Sequence, residues 1–166
     1  MRIAIAGDHR GYAAKEKIIL LLTEQGHEVI DMGTNSARSV DYTDVAYLAA
    51  KAVAEAKVDR AILLCGSGIG MSIAANKVRG IRAALCNDEL TAQTARRHND
   101  SNVLCLAADL LGEELMRRIV EAWLETNFEG GRHARRVRKI AMIEEGIDPT
   151  TYSNEENGAQ ETGLNI

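Results

Sequence analysis

AILLCGSGIGMSIAANK, residues 61–77, decides the fold. Four apolar residues run without interruption into Cys65, and glycines follow at 66, 68 and 70. An unbroken apolar run is what a strand needs when helices cover both faces of its sheet. The glycines let the chain turn with positive φ and bare several backbone N–H groups. Small and apolar residues at helical spacing come next, predicting a helix over 69–78. Strand, glycine turn and helix in that order open a βαβ unit. No Lys-Ser/Thr pair follows the glycines, which excludes a Walker A loop, and the GxGxxG dinucleotide spacing is absent.

The same alternation extends outward in both directions. Upstream, RIAIAG (2–7) predicts a strand, 12–26 a helix ended by Gly26, 27–33 a strand, and 42–56 a helix with Thr43 as its N-cap. Downstream come strand 81–86, helix 88–98, strand 102–107, helix 112–127 and a last helix over about 132–145. With the strand at 60–65, this predicts a single α/β domain over 1–146. Its architecture is a doubly wound, five-stranded parallel sheet in a Rossmann-like three-layer sandwich. After Gly146 the composition turns polar around Pro149, the one proline, so 147–166 reads as an extended or flexible tail or an arm laid on a partner.

Composition narrows the function. The 166 residues are 46% hydrophobic but only 4% aromatic, so Ala, Leu, Ile and Val must build the core. No apolar run reaches the ~18 residues of a membrane span, and the N-terminus lacks a signal-peptide pattern. Cys65, Cys86 and Cys105 cannot all pair and form no CxxC metal pattern; reduced thiols in a cytoplasmic protein are the expectation. The net charge of −4 hides six acids and no Lys or Arg within 140–166, leaving residues 1–139 at +2. A mildly basic body suits a small anion better than a nucleic acid.

In such sheets ligands bind beyond the carboxyl ends of the strands. Three stretches are predicted there: GDHRG (7–11), CGSGIG (65–70) and RHND (97–100). Amides of Gly66, Ser67, Gly68, Ile69 and Gly70 at a helix start form a nest suited to an anion or a developing oxyanion, or else merely a tight turn. Cys65 is either inert packing or, beside that helix start, a thiolate. Cys86 and Cys105 read as core. His98 and Asn99 either cap a helix end or serve a site; Asp8 and His9 make either a turn or a rim. Six basic side chains crowd 132–139, and Arg132 and Arg136 share a helical face as a fork for phosphate. Without interleaved aromatics this cluster is a poor nucleic-acid helix.

Taken together, GDH (7–9), GHEVIDMGT (26–34), VDYTD (40–44), CGSGIGMSIAANK (65–77), GIRAALC (80–86), HNDSNVL (98–104) and GGRHARRV (130–137) resemble the ribose-5-phosphate isomerase B family, which includes galactose- and allose-6-phosphate isomerases. The resemblance implies an aldose–ketose isomerase of sugar phosphates working through a cis-enediolate, without metal or cofactor. It makes Cys65 the base and the loop 66–70 the enediolate cradle, with Ser67 where the family usually has Thr. It gives His98 ring opening with Asn99 beside it, Asp8 the sugar hydroxyls, Tyr42 the pocket wall, and His9, Arg132 and Arg136 the phosphate. It implies a homodimer with shared active sites, with a tetramer as a further option, and a C-terminal helix reaching the partner. The resemblance points first to ribose 5-phosphate. One departure bears on substrate: Asp109 stands where many relatives carry an arginine, and an acid there repels phosphate unless paired or turned away. Arg79 also replaces a common proline. The alternatives are a sister isomerase for a tetrose or hexose phosphate, and a non-catalytic sugar-phosphate binding module.

Overall fold

Alternate residues of the central strands feed two different cores. Ile3, Ile5, Ile62, Leu64, Leu104 and Leu106 join one; Ala4, Ala6, Ala61, Leu63, Cys65, Val103 and Cys105 join the other. This period-two division is the strand pattern with both faces buried. In the computed structural model, which describes residues 1–152, five strands carry it: β1 (Arg2–Gly7), β2 (Glu28–Asp31), β3 (Arg60–Cys65), β4 (Ala83–Leu85) and β5 (Val103–Ala107). All pairings are parallel, in the order β2-β1-β3-β5-β4.

Five helices cover the faces, α1 (Tyr12–Glu24), α2 (Tyr42–Ala54), α3 (Ile69–Ala75), α4 (Glu89–Asn99) and α5 (Glu113–Glu125), while a sixth, α6 (Arg132–Glu144), packs against α4. α2 and α3 pack on one face through Ala46, Ala49, Ala50, Ala52, Met71 and Ala75. α1, α4 and α5 pack on the other through Ile18, Leu22, Ala92, Ala95, Met116, Ile119, Val120 and Trp123. The expected three-layer doubly wound fold is the one observed. No helix among the described residues is long and apolar enough to cross a membrane.

Several local expectations are corrected. β2 and β4 are shorter than predicted; both are edge strands with a neighbour on one side only. α3 stops at Ala75, because the Asn76 side chain donates to the Ala83 carbonyl and accepts from the Ala83 N–H, both within 2.9 Å. Asp41, not Thr43, is the N-cap residue of α2. Of the tail, residues 149–151 form a 3-10 turn, with Tyr152 beside Arg138 and Lys139 of α6. Residues 153–166 of the proposed 147–166 arm lie outside the described residues.

The chain order matters most at β1 and β3. They are adjacent, and β2 lies on the far side of β1, so the connections leaving them diverge to opposite faces. That divergence opens a crevice beyond their carboxyl ends.

Candidate active site

Gly11 brings the first segment to the crevice. A Cβ there would lie 2.3 Å from the Leu64 carbonyl oxygen, so only glycine lets the β1–α1 turn rest on the end of β3. The Asp8 side chain closes that turn: its Oδ1 accepts from the N–H groups of Arg10 and Gly11, both at 2.9 Å. Asp8 is 5% exposed, and Oδ2 takes no hydrogen bond among the described residues. The Val40 N–H donates to His9 Nδ1 at 3.4 Å, which assigns the ring proton to Nε2.

Cys65 is the last residue of β3 and is buried. Its Sγ accepts from the Gly68 N–H at 3.2 Å. Gly68 has a φ of 72° and caps α3. A side chain there would strike Leu85 Cδ1 at 2.5 Å, so glycine is required twice over. Ser67 Oγ accepts from the Ile69 N–H at 3.4 Å. The Tyr42 ring lies against Gly70, where a Cβ would meet it at 2.6 Å. Together Asp8, Tyr42, Cys65, Gly66, Ser67 and Gly70 line a cleft of about 380 Å³. The other two thiols stand apart as predicted. Burial pushes Cys86 up to about 11 and Cys105 well above the usual thiol range.

The third predicted stretch is elsewhere. α4 runs from the carboxyl edge of the sheet back to its amino edge, so His98 and Asn99, in its last turn, lie at the opposite end from Cys65. The expectation that RHND shares the rim is corrected: a helix leading into a parallel strand must end at that strand's beginning. There His98 stacks on His133, with ring centroids 4.1 Å apart and planes 3° from parallel. Glu129 Oε2 lies 3.9 Å from His98 Nε2 and 3.6 Å from His133 Nε2. Burial, then the charges of His98 and Arg132, lower the His133 pKa against a smaller opposing pull from Glu129. Arg132 Nε contacts His133 Nε2 at 3.4 Å, and Arg136 is exposed one turn along α6.

His98, Glu129 and His133 are the described residues whose ligand atoms come close enough to hold a metal, all within 4.8 Å. Imidazole donates in its ring plane, however, and two parallel stacked rings cannot both aim at one ion. The arrangement as it stands is a stack, not a coordination site.

Two features went unread in the sequence. Arg10 and Asp109 pair across the cleft, Nε to Oδ2 at 2.6 Å, and both line it along with Leu110. The acid at 109 is therefore neutralised within its own chain. The Glu129–His133 arrangement was also missed; its signal is an acid four residues before a histidine at a helix start.

Residues 3–140 match the family profile described as Ribose/Galactose Isomerase. Among curated proteins, ribose-5-phosphate isomerase B of Escherichia coli K12 is 49% identical over 144 residues, 87% of this chain and 97% of that protein. D-erythrulose-4-phosphate isomerase of Pectobacterium atrosepticum is 44% identical, covering 87% of this chain and 95% of that protein. The solved structure of Clostridium thermocellum ribose-5-phosphate isomerase B superposes with a TM-score of 0.87 at 49% identity, over 88% of this chain and 99% of that one.

Proposed function

The chain belongs to the ribose/galactose isomerase family, and from that premise we propose that it interconverts D-ribose 5-phosphate and D-ribulose 5-phosphate. As a member it is a sugar-phosphate isomerase exchanging an aldose for a ketose. The pentose and the residue roles are our reading. The observation that carries the roles is the Cys65 thiol at the end of β3, set in one cleft with the Asp8 carboxylate and the glycine loop.

The Cys65 thiolate takes the proton from C2 of the open-chain aldose. The C–H electron pair becomes the C1–C2 double bond, and negative charge collects on the carbonyl oxygen. Amides of the 66–70 loop receive that charge, as an oxyanion cradle does. The Ser67 hydroxyl exchanges a proton with this oxygen. Return of a proton to C1 with loss of the C2 hydroxyl proton gives the ketose. The free Oδ2 of Asp8 accepts from sugar hydroxyls, and Tyr42 walls the cleft. His9 donates through Nε2 to the phosphate. No metal or cofactor enters these steps.

Ring opening needs His98 and Asn99, and the phosphate needs Arg132 and Arg136. One copy holds these at the other end of the sheet. The reading therefore requires a homodimer with shared sites, each cleft completed by a second copy. Exposed Tyr47 and Leu48 on α2, Ile69 and Ile73 on α3, and Ile140 and Ile143 on α6 supply apolar surface for that contact. Sedimentation tests it: a fully active monomer overturns the shared site, and the same run separates dimer from tetramer. We place the enzyme in the cytoplasm on the strength of its three unpaired, buried thiols.

The chemistry is tested by proton NMR in D2O with ribose 5-phosphate. Ketose carrying solvent deuterium is expected from the wild type and not from Cys65→Ala. The likeness to D-erythrulose-4-phosphate isomerase favours a second reading, in which the same steps act on a tetrose or hexose phosphate; higher turnover on erythrose 4-phosphate than on ribose 5-phosphate selects it. Tight binding of both sugars without exchange at C1 or C2 leaves a binding module instead.

A further inference from the structure

Arg10 is the one cation among the residues lining the Cys65 cleft; Asp8 and Asp109 are its acids. Arg10 is fixed at three points. Its backbone N–H is held by Asp8, its Nε by Asp109, and its side chain lies on the Gly66 backbone. A Cβ on Gly66 would fall 2.5 Å from Asp109 Oδ2 and 2.9 Å from Arg10 Nε, so the ion pair rests directly on the peptide after Cys65. Asp109 is anchored in turn, its N–H donating to the Gly66 carbonyl at 3.1 Å while the Ala108 N–H donates to the Cys65 carbonyl at 2.8 Å. The pair thus spans from the β1–α1 turn to the β5–α5 turn across the end of β3.

This geometry leaves half of the guanidinium unspent. Among the described residues, Arg10 makes its one side-chain hydrogen bond through Nε. Both Nη nitrogens remain as donors on an exposed, planar fork. Pairing with Asp109 also raises the Arg10 pKa, which keeps the fork charged. A carboxylate that holds one edge of a guanidinium pre-orients the other edge and lowers the ordering cost of binding.

We propose that Arg10 binds the phosphate of the substrate through its Nη edge, and that Asp109 is the positioning residue that aims it. This deepens the isomerase reading of the same cleft and rests on it. The acid at 109 then serves anion binding instead of opposing it. The fixed reach from Cys65 to the Arg10 fork also contributes to which sugar length is accepted.

The test is a comparison of Arg10→Met and Asp109→Asn with the wild type. The readouts are steady-state kinetics on ribose 5-phosphate and competitive inhibition by inorganic phosphate. A charge-assisted contact predicts that Arg10→Met raises KM and the phosphate inhibition constant roughly tenfold to a hundredfold, with kcat within about threefold. Asp109→Asn discriminates by sign. If Asp109 aims Arg10, KM rises by about threefold or more in its absence; if it is only a repelling charge, KM falls. A fall, or an Arg10→Met variant within twofold of wild type in both constants, overturns the proposal. Should ribose 5-phosphate prove not to be turned over at all, titrating inorganic phosphate by 31P NMR into wild type and Arg10→Met still decides the phosphate contact. Failure of the isomerase reading is thereby kept apart from failure of this one.

Discussion

The two ends of the parallel sheet spend their polar groups differently. At the amino end, Arg96 donates to the Ser101 carbonyl at 2.6 Å, to Asp100 at 2.8 Å and to the Thr126 carbonyl at 3.3 Å. Trp123 donates to Ser101 Oγ at 2.7 Å, with Arg60 and Arg96 over its ring. Arg60 satisfies the Trp123 and Leu124 carbonyls that α5 leaves open, and burial lowers its pKa to about 10. Those bonds close on the protein itself. At the carboxyl end, Asp8 uses one oxygen, Arg10 one nitrogen, and Cys65 a single amide contact. A polar group with its bonds spent holds the fold; one with bonds in reserve awaits a ligand. The His98–His133 stack lies between these cases: His133 is buried, yet its Nδ1 has no partner among the described residues.

Four changes press on this contrast. Cys65→Ala strikes the open end hardest: turnover should drop by roughly 10²–10⁴-fold, while substrate affinity by calorimetry and melting temperature stay close to wild type. Near-normal kcat would remove the thiol from the chemistry. Trp123→Ala strikes the closed end and should show the reverse, costing about 3–5 kcal/mol in urea unfolding with kcat per folded molecule unchanged. Gly68→Ala tests where the two roles meet. It strains a left-handed residue and collides with Leu85, so a loss of about 1–3 kcal/mol should accompany a fall in kcat. Intact activity there would show that the loop amides need no fixed geometry. The smallest effect is expected from His133→Phe. With its folded pKa lowered, His133 makes the unfolded chain bind more protons, so wild-type stability should be full above about pH 6.5 and decline as pH falls below it. The variant should flatten that decline in pH-dependent unfolding curves; an unchanged slope would assign it to other groups.

The strands and helices were legible because burial on both faces leaves unbroken apolar runs, and RAILLC and NVLCLA have no other economical use. The cleft was legible in part for a related reason. Cys65 ends its strand, Asp8 and the glycine loop follow theirs directly, and a parallel sheet delivers every strand's end to one rim. His98 failed the same logic because it precedes its strand. The Arg10–Asp109 pair was hidden for a different reason: the two residues are 99 positions apart, and alternation of strands and helices says nothing about the order β2-β1-β3-β5-β4 that makes their turns neighbours of Cys65.

The face of the sheet beneath α2 is paved with alanine: Ala4 and Ala6 below, Ala46, Ala49, Ala50 and Ala52 above. Methyl against methyl leaves no slack that a rotamer change could absorb. Any enlargement there must lift the helix as a rigid bar, and Tyr42 rides on its first turn. The spacing between those two alanine layers therefore acts as a gauge for the width of the cleft, set from inside the core at residues no substrate ever touches.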